Sequence, residues 1–102
     1  MCITSFVQEK QLTIALSGEI DHHRARELMQ AITEKIEAFL PLYCVLDFRS
    51  VTFMDSSGIA VVIHTVRRMH ELGGRLSLSH IPPQPLKVLR AANIEKIATI
   101  VA

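Results

Sequence analysis

The spacing of apolar positions alternates along the chain between a period of two and one of three to four, and each switch marks a new element. Ile3 to Gln8 and Leu12 to Ser17 carry short apolar alternations separated by the polar Glu9 and Lys10, which predicts an opening hairpin whose second strand ends at Gly18. Ala25, Leu28, Met29, Ile32, Ile36 and Phe39 then recur at helical spacing with charges between them. Asp21 offers an acceptor to the open N–H groups at the start of that helix, and Pro41 closes it. Leu42, Cys44, Leu46 and Phe48 alternate with Tyr43, Val45 and Asp47, so a buried central strand follows, after which the chain is expected to turn through Val51 to Met54.

From Ser57 the helical period returns. Ile59, Ala60, Val61, Val62, Ile63 and Val66 make the early turns apolar nearly all round, and Arg67, Arg68 and His70 make the exit basic, so the start should sit deep and the end in water. Gly73 and Gly74 supply left-handed conformations for its stop. Leu76 and Leu78 alternate with Arg75, Ser77 and Ser79 as a strand with one apolar face. Pro82, Pro83 and Pro85 lead into a short helix over Leu86 to Ala92 with Asn93 at its end, and Thr99 to Val101 form a last strand. The order β-β-α-β-α-β-α-β predicts an α/β fold with one mixed, mostly parallel sheet, antiparallel only at its start. With right-handed crossovers and successive strands as neighbours, the helices pack mainly on one face.

A chain of 102 residues is expected to form a single domain, residues 1–102. Hydrophobic residues at 49% against 21% charged offset the entropy of ordering it. The formal net charge of +1, without any block of like charge, lacks the attraction that a phosphate backbone requires, so nucleic acid is not an expected partner. The longest purely apolar run, Ile59 to Ile63, falls far short of the roughly 20 residues that cross a bilayer. No basic-then-apolar leader precedes the first strand, and the expectation is a cytoplasmic protein with no membrane association. Cys2 and Cys44 belong to no CxxC pair and are expected to stay reduced, Cys44 as a small buried hydrophobe. His22, His23, His64, His70 and His80 include no pair at helical metal-site spacing, so neither a metal nor a cofactor is expected.

Chemistry concentrates where the central strand hands over to the second helix, at Asp55-Ser56-Ser57-Gly58. The plain account is capping, with Asp or Ser accepting N–H bonds and Gly58 allowing close packing. A hydroxyl in that place can also carry a phosphate, which a helix start stabilises by about 0.3–1 kcal/mol while roughly −1.5 to −2 units of charge are added. The run also echoes half of the hydrolase elbow G-x-S-x-G. Met54 stands where its leading glycine would be, and no downstream acid-then-histidine pair is evident, so no catalytic residue is expected.

Phe53-Met54-Asp55-Ser56-Ser57-Gly58 resembles the signature of STAS-domain anti-sigma factor antagonists, and Gly18-Glu19-Ile20-Asp21-His22-His23 resembles a second signature of that family. The paired histidines and the Met-Asp-Ser-Ser-Gly run are most similar to the sporulation-type antagonists, and the element order matches over nearly the whole chain. The resemblance implies phosphorylation of Ser56, directly after the aspartate, and not of Ser57. It implies as partners an anti-sigma factor that is itself a serine kinase, ATP-bound or ADP-bound, and a serine phosphatase that reverses the reaction. Unmodified protein would bind the kinase and free a sigma factor, and the phosphorylated form would not bind. Asp21, His22, His23, Asp55, Ser56, Ser57 and Gly58 would form the docking face, the Gly18 to His23 turn lying beside Ser56. The alternative in the same family is a signalling scaffold or a small-ligand-binding module. Many members continue into a further helix after the last strand, which this sequence, stopping at Ala102, does not show. No oligomeric state is implied.

Overall fold

In the computed structural model, β1 (Ile3–Gln8) and β2 (Gln11–Ile20) form an antiparallel hairpin with Ile3 opposite Leu16 and Gln8 opposite Gln11. The structure describes residues 3–101; Met1, Cys2 and Ala102, and with them the expectation for Cys2, lie outside the described residues. β3 (Tyr43–Met54), β4 (Arg75–Ser79) and β5 (Thr99–Val101) add in parallel, giving the strand order β1-β2-β3-β4-β5. The crossovers are α1 (Ala25–Phe39), α2 (Ser57–Glu71) and α3 (Pro83–Ala91), and a 3₁₀ turn at Ile94–Lys96, not foreseen from the sequence, follows α3. This is the α/β order expected.

Alternation in the strands sets the core. Leu12, Ile14 and Leu16 of β2, Cys44, Leu46 and Phe48 of β3 and Leu76 and Leu78 of β4 join one buried cluster with Leu28, Ile32 and Ile36 of α1, Val61, Val62 and Met69 of α2 and Leu89 of α3. Each fully buried side chain of this size contributes about 1.5–3 kcal/mol relative to exposure. The opposite face of the sheet carries the exposed Phe6, Tyr43 and Val101.

Several local expectations are corrected. β2 does not end at Gly18 but bends there, at φ +83°, and runs on to Ile20. Val51 to Met54 are strand and not turn, with Glu19 opposite Phe53 and Ile20 opposite Met54. Two register shifts, between Ala15 and Ser17 and between Gly18 and Glu19, place surplus residues in β3, so its buried positions step from Phe48 to Val51 to Met54 and the period of two is lost. Of the Gly73–Gly74 pair, Gly73 alone is left-handed (φ +75°); Gly74 is needed for close approach, since a Cβ there would lie 2.6 Å from the Leu42 carbonyl oxygen. α3 begins at Pro83, earlier than expected, because prolines fit a first turn whose N–H groups lack helical partners. α2 is not buried all round, since Ala60 and His64 face solvent. Arg68 is not simply solvated: it pairs with Glu37 of α1 at 2.9 Å and with Glu71 at 3.4 Å.

Candidate functional site

The strand β3 passes into α2 through Asp55, and the hydrogen bonds there divide the labour among the polar residues. Asp55 N–H donates to the Ile20 carbonyl at 3.1 Å, extending the β2–β3 ladder past Met54. Its carboxylate Oδ1 accepts the Ser57 N–H at 2.8 Å and its carbonyl the Gly58 N–H at 3.0 Å. Asp55 therefore satisfies the helix start, which otherwise leaves these donors open. Ser56 already has helical backbone angles (φ −63°, ψ −17°), its hydroxyl makes no capping bond, and the residue is exposed. Ser57 is half-buried. The Ser56 hydroxyl thus stands in water at the positive end of a 15-residue helix.

Gly58 is buried because the helix start lies directly on Met54. A Cβ at Gly58 would come within 2.3 Å of Met54 Cγ and 3.3 Å of Ile20 Cγ2, and Met54 itself is fully buried. The Met54 backbone is held from the other side by Gln84 of α3: Met54 N–H donates to Gln84 Oε1 at 2.8 Å, and Gln84 Nε2 donates to the Met54 carbonyl at 2.7 Å. Sequence reading missed Gln84. Its only signal is a polar side chain between Pro83 and Pro85, and nothing in local spacing tells that it reaches back thirty residues.

Asp21 plays for α1 the part that Asp55 plays for α2. Its Oδ1 accepts the N–H groups of His23 (3.0 Å) and Arg24 (3.1 Å), and its carbonyl accepts that of Ala25 at 3.0 Å. His22 and His23 are exposed, with ring centroids 5.9 Å apart in an edge-to-face arrangement. A shallow groove between the starts of α1 and α2 is lined by His22, His23, Arg26, Met29, Ser57 and Ala60. The structure thus brings the histidine pair and the Asp55–Gly58 turn to one end of the sheet, with Ser56 outside the groove lining.

The remaining histidines and the thiol lie elsewhere. His64 Nε2 is 3.2 Å from Thr33 Oγ1, and His80 Nε2 is 2.9 Å from an Arg49 guanidinium nitrogen, so among the described residues no imidazole is hydrogen-bonded to Ser56 or Ser57. Among the described residues no cluster of His, Cys, Asp or Glu could hold a metal ion. Cys44 is buried in the core as a free thiol, and desolvation pushes its pKa up to about 12. No helix among the described residues is long and apolar enough to cross a membrane.

The family model described as STAS domain matches residues 4–102. The chain is 29% identical over 89 residues to an anti-sigma F factor antagonist of Paenibacillus polymyxa, across 87% of this chain and 76% of the relative. Its fold is similar to the solved structure of the anti-sigma factor antagonist SpoIIAA in its unphosphorylated form, with a TM-score of 0.82 at 24% identity over 99% of this chain and 89% of that one. Bacillus SpoIIAA in the phosphorylated form is similar at a TM-score of 0.73 and 24% identity, covering 99% and 92%. The first two of these are named as anti-sigma factor antagonists, and the third as a cell fate determinant.

Proposed function

The chain belongs to the STAS domain family, and from that membership we propose that it is an anti-sigma factor antagonist, a cytoplasmic binding protein and not an enzyme, switched by phosphorylation of Ser56. The observation that carries this reading is the Ser56 hydroxyl, exposed and relieved of capping duty by Asp55. A kinase can reach it, and the helix start favours the phosphate by about 0.3–1 kcal/mol. The names of the relatives and the existence of a phosphorylated form of a protein of the same fold support the same reading.

The partner is an anti-sigma factor that is also a serine kinase, with a serine phosphatase resetting the switch. Asp21, His22, His23, Asp55, Ser56 and Ser57 form the docking face, within the two turns that the Asp55 to Ile20 hydrogen bond ties together, whereas Gly58, expected there from the sequence, is buried against Met54 and supports that face from beneath. Phosphate added to Ser56 lies beside the Asp55 carboxylate, so negative charge is concentrated on a surface that meets its partner as a neutral hydroxyl. Desolvating that charge without a counterpart opposes binding. The fold itself has no need to change.

Mass spectrometry after incubation with the cognate anti-sigma factor and ATP tests the reading. One phosphate is gained by the wild type and by Ser57→Ala, and none by Ser56→Ala. A phosphate that persists in Ser56→Ala overturns Ser56 as the switch, and a wild type that gains none removes the proposal and favours a ligand-binding module.

A further inference from the structure

We infer that Gln84 is the positioning residue for Ser56, so that the start of α3 sets the geometry of the phosphorylated turn; this rests on the function proposed above. β4 ends at Ser79, opposite Asp47, and from there onward β3 has, among the described residues, only β2 as a sheet neighbour. The Met54 N–H and C=O point away from β2, whose last bond is taken by the N–H of Asp55. The Gln84 amide offers one acceptor and one donor, the same pair a neighbouring strand presents, and both bonds are short, at 2.8 and 2.7 Å. Pro83 and Pro85 fix the backbone on either side of it, so the side chain leaves a pre-set first turn.

The grip is transmitted over two residues. Met54 is anchored by its backbone to α3 and by its side chain beneath Gly58, so Asp55, which caps α2, and Ser56, which follows, have little freedom. Transfer requires that Ser56 Oγ attack the γ-phosphorus of the partner's ATP: the Oγ–P bond forms, the bond to the ADP oxygen breaks, and the hydroxyl proton passes to a base of the kinase. Misplacing an attacking atom by about 1 Å costs on the order of a hundredfold in rate.

The test uses the full chain as substrate of its cognate anti-sigma kinase. Gln84→Ala is expected to lower kcat for Ser56 phosphorylation by about tenfold to a hundredfold with KM little changed. Gln84→Glu, which keeps the acceptor for Met54 N–H and loses the donor to its carbonyl, falls between. Val88→Ala, a partly buried position on the same helix, is the control for lost stability. Wild-type kcat in Gln84→Ala overturns the assignment, as does a loss that Val88→Ala reproduces at equal shift in melting midpoint. Amide hydrogen exchange of the free protein reads the same grip without a kinase: in Gln84→Ala, exchange from Asp55 to Ile59 should quicken by about fivefold or more, and wild-type protection there also overturns it. A wild type that accepts no phosphate removes the proposed function, and the exchange experiment then decides the role of Gln84 by itself.

Discussion

The Asp55 carboxylate and the Ser56 hydroxyl are neighbours with opposite assignments: one is used up by the helix start, and the other is left over. Replacing Ser56 by Asp therefore removes no native bond and places an acid where helices accept one. Ser56→Asp should melt within a few degrees of wild type, yet bind the anti-sigma factor more weakly by about 2 kcal/mol or more, because the added charge is desolvated without a partner. Titration calorimetry decides; equal affinities would sink the charge argument. Gly58 answers to packing instead. Gly58→Ala drives a methyl group into the buried Met54 side chain and is expected to cost about 1–3 kcal/mol, seen as a lowered denaturation midpoint.

At the scale of elements, each helix that faces the site is started by an aspartate, and the two starts are comparable in bonding. Asp55→Ala should destabilise by about 1 kcal/mol, whereas Asp55→Asn keeps an oxygen acceptor and loses little; chemical denaturation of the pair separates capping from charge. Arg68 joins α2 to α1 through Glu37, but both side chains are partly open to water, so Glu37→Gln should cost less than about 1 kcal/mol and the difference should shrink in salt. Elements with an intact period were legible in the sequence: the α1 stripe from Ala25 to Ile36, the alternation from Cys44 to Phe48, the one-sided β4. The end of β3 was not, because two bulges shift its buried positions and make a paired strand look like a turn. Asp55, Ser56 and Gly58 were visible as a polar cluster before an apolar helix, but the division of roles between Asp55 and Ser56 depends on backbone angles that residue types alone do not fix. Gln84 was invisible because its partner is thirty positions away.

For the whole molecule, strand order and crossover direction put the two signature turns at one end of one sheet, so the order of elements along the chain already implies that they lie together. The core beneath them has a pH limit of its own. Burial holds the Cys44 thiol protonated up to about 12 against an ordinary value of 9.0, so above pH 9 the unfolded chain gives up this proton first. Its contribution to stability is therefore intact below pH 9 and falls as the pH rises toward 12. Denaturant unfolding across that range should show a steeper decline for wild type than for Cys44→Ala, and Cys44 in the folded protein at pH 8 should resist alkylation. The surplus residues of β3 make the chain unequal in its tolerance of length. Removing one amino acid from the evenly paired run Cys44 to Asp47 would turn the side chains beyond it over and send core residues toward water, whereas removing Thr52, surplus at a bulge, returns Val51 and Met54 to a step of two with both still facing inward. A library of single-codon deletions should accordingly lose folded protein at the first place and keep it at the second.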